Sequence, residues 1–186
     1  TGMKATTKNQ AHTERFQPFN IVVFGGDGDL SIRKILPALF HRDLDGQLDL
    51  PYNVVAITRK KPDLTAFQEK LIPFLEVSDH HKYSRAEIDK FLHKVHLIQA
   101  ESSNVEDYKG LTAFLNQYAD RVIVFSGHSE GRNNLYMRYI HRYRSKIFLH
   151  YSVKIEVKSE VDLVFYIQKK RGPIWSSFFI LYMTTY

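Results

Sequence analysis

Residues 20–39 read NIVVFGGDGDLSIRKILPAL, and this stretch decides the fold. Ile21, Val22, Val23 and Phe24 form a short apolar run rich in β-branched residues, the composition of a strand buried in a parallel sheet. Gly25, Gly26 and Gly28 follow at once, and then Leu30, Ile32, Ile35, Leu36 and Leu39 recur at helical spacing. Strand, glycine turn and helix in that order predict the first βα unit of a dinucleotide-binding domain. The glycines let main chain approach a pyrophosphate, and the free N–H groups of the helix start stabilise its charge. Asp29 stands where a side chain caps such a helix. The strict G-x-G-x-x-G pattern is incomplete, because Ser31 follows Gly26 and Gly28 where a third glycine would be. No Gly-Lys-Ser/Thr follows either, which excludes a P-loop. Glycine spacing alone therefore leaves open both a nucleotide-binding turn and a purely structural one.

Outward from this unit, strand and helix patterns alternate. Residues 54–58 read as a second buried strand, 95–98 as a third and 122–125 as a fourth. Between them lie amphipathic helices over 63–75, 84–92 and 105–118, the second with Ser84 as cap and Glu87 completing a capping box. Four alternations predict an α/β class with a doubly wound, mostly parallel sheet. The expected organisation is a flexible leader over 1–19, a Rossmann-like domain over 20–125 and a tail over 126–186, irregular or strand-rich. In the tail, Ile147, Leu149, Tyr151, Val153, Ile155 and Val157 alternate at strand period, and 161–167 is a second strand-like run. Residues 174–183 are almost all apolar and aromatic, yet too few to cross a bilayer.

Composition changes at the same boundary. Up to Phe125 there are 16 Lys and Arg against 16 Asp and Glu; beyond it there are 10 against 4, so the whole net charge of +6 lies in the tail. All nine alanines precede Ser126, and seven of the eleven tyrosines follow it. The 186 residues contain no cysteine, which excludes disulfides, thiolate metal sites and cysteine nucleophiles. No apolar run reaches transmembrane length and the first twenty residues lack a signal-peptide core, so a cytoplasmic protein is the expectation. The nine histidines show no zinc-helix pairing with glutamate, and no metal is expected.

The longer string Gly25-x-x-Gly28-Asp29-Leu30-x-x-Arg33-Lys34-x-Leu36-Pro37-Ala38-Leu39 resembles the N-terminal signature of glucose-6-phosphate dehydrogenases. Weaker likenesses follow in residues 44–48, in the second strand ending at Arg59, in the helix start over 104–111 and in the strand ending at Phe125. The resemblance implies oxidation of glucose 6-phosphate at C1 to the lactone, with NADP as hydride acceptor, in an oligomeric full-length enzyme of the pentose phosphate pathway. It implies that Gly25, Gly26, Gly28, Asp29 and Leu30 hold the pyrophosphate and that Lys34 reaches the sugar phosphate of the substrate. Arg59, with Lys60 and Lys61 beside it, stands just past the second strand, where NAD-binding chains carry an acid for the ribose hydroxyl. A cation cluster there suits the 2′-phosphate of NADP instead, since arginine offers phosphate a planar fork. The plainer reading of these cations is a solvated loop. Asp27 is unusual in a phosphate turn, and the expectation is that it points outward into solvent.

Neither of the family's later motifs, Glu-Lys-Pro-x-Gly and Arg-x-Asp-His-x-x-Gly-Lys-Glu, occurs in the sequence. The domain thus reads as truncated, with no residue assigned as catalytic base and the chain alone expected to be inactive. A shift of reading frame after codon 125 would produce this abrupt change. Two further readings stand beside it: a non-catalytic NADP-binding module, and a basic-aromatic binder of nucleic acid or membrane surface built on residues 136–144. Many phosphate contacts would give the latter a steep salt dependence, whereas one cofactor gives a shallow one.

Overall fold

The computed structural model describes residues 18–78, 81–100, 105–118, 120–127, 134, 137–138, 141–142, 151–159 and 163–170. Strand β1 (Phe19–Phe24) leads through the glycine turn into a helix that begins at Asp29, passes a π-helical turn (Ser31–Ile35) and continues as α1 (Leu36–Leu44). Then come β2 (Tyr52–Thr58), α2 (Leu64–Glu76), the short β3 (Val77–Ser78) and β4 (His81–Lys82), α3 (Arg85–Leu92) and β5 (Val95–Gln99). A 3-10 turn (Val105–Tyr108), α4 (Lys109–Gln117), β6 (Val122–Gly127), β7 (Tyr151–Val157) and β8 (Leu163–Lys169) complete the described chain.

The main sheet has six strands in the order β5-β2-β1-β6-β8-β7. β5, β2, β1 and β6 are mutually parallel, with Phe24 opposite Ile57 and Ile57 opposite Ile98 at their carboxyl ends. Every residue of β2 is buried, as a central parallel strand requires. Helices cover both faces: Val22, Val55, Ile57 and Phe125 pack with Leu111 and Leu115 of α4, while Val23, Val54 and Ala56 pack with Leu36, Phe40, Leu71 and Phe91 from α1 to α3. The doubly wound parallel sheet is therefore as the alternation predicts. The sheet continues past Phe125, however. β8 pairs antiparallel with β6, Phe165 opposite Phe125 with stacked rings 5.0 Å apart, and β7 pairs with β8 as the outer strand. An edge that four parallel strands would leave open is covered by this hairpin.

Local chemistry explains the helix boundaries. Ser84 accepts from the Glu87 N–H and Glu87 accepts from the Ser84 N–H, the expected capping box of α3. Asp63 caps α2 by accepting from the Ala66 N–H at 3.0 Å. Pro37 has no N–H and its ring conflicts with an α-helical carbonyl four residues back. The π-helical turn just before it, closed by the Leu36 N–H on the Ser31 carbonyl, widens the helix where that conflict falls. The leader over 1–17, the apolar run 174–183, the strand residues Ile147 and Leu149, and most of the basic-aromatic run 136–144 lie outside the described residues.

A polar ladder crosses the α4 face of the sheet. Asn53 donates to Asn20 at 3.1 Å, and its carbonyl oxygen faces His96 Nε2 at 3.2 Å. Because the Asn53 amide already donates to Asn20, its oxygen faces His96 and the ring donates through Nε2, as the Nε2–H tautomer does when neutral. Burial against Phe114, 4.7 Å between rings, pushes the His96 pKa down. The unfolded chain therefore takes up this proton first. Stability from His96 is fully present above the ordinary histidine range and falls as pH drops through about 6.5 toward the lower folded value. In urea unfolding at pH 7 and pH 5, the wild type is expected to lose more stability on acidification than His96→Gln; equal losses contradict this.

Candidate cofactor-binding site

The site begins where β1 ends. Gly25 has φ +66°, the left-handed region in which a side chain is strained. Gly26 is buried, and a Cβ on it would lie 2.5 Å from Ala56 Cβ and 2.7 Å from Ala56 Cα on β2. Its N–H donates to the Ile57 carbonyl at 2.8 Å, so the turn is fastened to the neighbouring strand. The Gly28 N–H closes the turn on the Gly25 carbonyl at 2.9 Å, and the Gly28 carbonyl accepts the first helical bond from Ile32 at 3.0 Å. The N–H groups of Asp29, Leu30 and Ser31 precede that bond and have no partner within the helix.

This corrects the assignment of Asp29 as the cap. Gly28 occupies the capping position, and Asp29 is already helical. Its carboxylate pairs with Arg33 at 2.6 Å, one turn on, because side chains four residues apart are neighbours on a helix surface. A negative charge there still complements the helix dipole. Leu30 is 56% exposed on the same first turn.

Asp27 also departs from expectation. It is half-buried and accepts from the Thr58 hydroxyl at 2.8 Å, instead of pointing into solvent. Thr58 ends β2, and pairing of Phe24 with Ile57 sets it beside the turn. Arg59 and Lys60 follow directly, both exposed. Their main chain is held from two sides: the Lys60 N–H donates to Thr58 Oγ1 at 3.2 Å, and Gln99 Nε2 donates to the Arg59 carbonyl at 3.1 Å. The glycine turn, the free helix start and the Arg59–Lys60 loop thus meet at the carboxyl ends of β1 and β2. β1 is also where strand order reverses, β2 on one side and β6 on the other, the place where open α/β sheets bind ligands.

Lys34 does not join this group. It is exposed and lines a cleft of about 730 Å³ between α1, β1, β6 and β8, with Arg42, Lys158, Val124 and Tyr166 among the other walls. Among the described residues no three histidine, aspartate or glutamate side chains gather to hold a metal, and no helix is long and apolar enough to cross a membrane. The latch of Asp27 on Thr58 was missed in the sequence reading because its partners stand 31 positions apart; the oddity of an acid in a phosphate turn was its one visible trace.

Residues 22–140 match the family model described as glucose-6-phosphate dehydrogenase, NAD binding domain. The glucose-6-phosphate 1-dehydrogenase of Rhizobium meliloti is 30% identical over 112 residues, 59% of this chain and 22% of that protein. Those of Schizosaccharomyces pombe and Mycolicibacterium smegmatis are 26% and 29% identical, over 51% and 49% of this chain and 19% of each relative. A solved glucose-6-phosphate dehydrogenase in complex with its substrate glucose-6-phosphate is 27% identical, with a TM-score of 0.48, covering 55% of this chain and 21% of that one. The chain spans about a fifth of the length of the relatives it matches.

The geometry at Gly26 predicts a steric cost without any ligand. Gly26→Ala forces β1 and β2 apart and is expected to destabilise by about 1–3 kcal/mol, and Gly25→Ala by about 1–2 kcal/mol through its left-handed backbone. Urea midpoints measure both; a neutral Gly26→Ala would contradict the close approach.

Proposed function

The chain belongs to the glucose-6-phosphate dehydrogenase family through that family's NAD-binding domain, and from this premise we propose that it binds NADP at the glycine turn and the Arg59–Lys60 loop. The observation that carries the reading is the meeting of these two features at one end of the sheet, with Gly26 fastened to Ile57 and Thr58 fastened to Asp27. The residues fit such a group. Unpartnered N–H groups of Asp29, Leu30 and Ser31 suit a pyrophosphate, and an exposed guanidinium on a tethered loop suits a 2′-phosphate. Held there, such a group would supply the hydride acceptor for oxidation of glucose 6-phosphate at C1 to the lactone, the reaction of the parent family. Lys34 would supply a cation toward the sugar phosphate from the rim of its cleft.

A general base must take the hydroxyl proton as hydride leaves. The sequence holds no counterpart of the family's histidine motif, so this chain alone acts as an NADP-binding module without turnover. A cytoplasmic setting and the pentose phosphate pathway belong to the same proposal, by kinship.

Calorimetric titration of the full chain tests the cofactor reading. NADP is expected to bind more tightly than NAD. Arg59→Ala is expected to weaken NADP by roughly 10- to 100-fold, the worth of a charged hydrogen bond, while leaving NAD unchanged. Equal affinity for both cofactors, or an Arg59→Ala chain that binds NADP as before, would overturn it.

A further inference from the structure

We infer that Asp27 and Thr58 are positioning residues that set the choice between NADP and NAD without touching either. The inference rests on the cofactor reading above and assigns it two residues that the glycine pattern and the cation cluster leave out.

A carboxylate in a turn meant for phosphate is unfavourable unless it has other work. Asp27 is half-buried, and its Oδ2 lies 2.8 Å from the Thr58 hydroxyl. A carboxylate only accepts, so the single hydroxyl proton of Thr58 must point at Asp27. That orientation turns the hydroxyl lone pairs toward the Lys60 N–H, 3.2 Å away. Thr58 is 2% exposed, and its main-chain carbonyl accepts from the Ala100 N–H at 3.0 Å. With the Gln99 bond to the Arg59 carbonyl, the main chain from Thr58 to Lys60 is fixed at three points while the two cationic side chains stay exposed.

A loop ordered before its ligand arrives loses less conformational freedom on binding. Only NADP carries a 2′-phosphate for Arg59 and Lys60 to hold, so this gain reaches NADP and not NAD. If the Asp27 charge acted instead by repelling pyrophosphate, both cofactors would feel it alike. The two effects differ in sign and in selectivity.

The experiment measures NADP and NAD affinities of the full chain as wild type, Thr58→Val, Thr58→Ser, Asp27→Ala and Asp27→Asn, together with amide exchange at Lys60 in the absence of cofactor. Thr58→Val and Asp27→Ala are expected to lower the NADP preference by about 3- to 10-fold, one hydrogen bond's worth, and to speed exchange at Lys60. Thr58→Ser keeps the hydroxyl and Asp27→Asn keeps an acceptor, so both are expected to retain the wild-type preference. Exchange at the Val55 amide, deep in β2, distinguishes a released loop from an unfolded chain, and the two conservative variants carry the test if the others unfold.

A wild type with no NADP preference overturns the cofactor reading. A preference that survives both Thr58→Val and Asp27→Ala, or Lys60 exchange that neither changes, overturns this inference alone. Loss of the preference in Thr58→Ser or Asp27→Asn also overturns it. So does equal tightening of both cofactors in Asp27→Ala and Asp27→Asn, which would assign Asp27 to charge repulsion.

Discussion

A Cβ on Gly26 would stand 2.5 Å from Ala56 Cβ, so this position has room for glycine alone, and much of the site follows from that contact. With no side chain between them, the end of β1 lies against β2 and its N–H reaches the Ile57 carbonyl. The turn is thereby held at a fixed height over the sheet, the helix starts at Gly28, and its first N–H groups face outward at the strand ends. The same contact brings Asp27 within reach of Thr58, which joins the turn to the loop carrying Arg59 and Lys60. A side chain on Gly26 would separate two halves of the site, Asp27 and Thr58, that lie 31 positions apart in the chain.

Around this contact few polar side chains are buried among the described residues. Lys94 reaches from the start of β5 to Asp43 near the end of α1, at 3.0 and 3.3 Å, and lies 4.5 Å over the Tyr52 ring. Burial and the Asp43 carboxylate together push the Tyr52 phenol far up, so it stays neutral. The pair ties α1 to the sheet at the end opposite the glycine turn, while the Asn20–Asn53–His96 ladder crosses the other face. Both devices hold β1, β2 and β5 in register, and that register places Phe24 opposite Ile57.

The parallel sheet was legible because its signals are local: an apolar run, a glycine cluster, a helical period, a capping box at Ser84. Proline 37 was visible, but the π-helical turn that accommodates it was not, since helix pattern is read at one period. Asp29 was misread as a cap because the glycine before it can fill that place through its carbonyl alone. The Asp27–Thr58 latch depends on strand neighbours, which spacing does not reveal. The strands of the tail were legible from their alternation, but the pairing of β8 with β6 was not, because an antiparallel partner for a fourth parallel strand is not dictated by either segment alone.

Amide spectra of the isotopically labelled full chain, recorded during titration with NADP, test whether the glycine turn and the Arg59–Lys60 loop form one NADP site. Shifts confined to residues 25–31 and 58–61 are expected, with the α4 face and the β7–β8 hairpin unmoved. Shifts centred on the basic tail, or no shifts at saturating NADP, would contradict it.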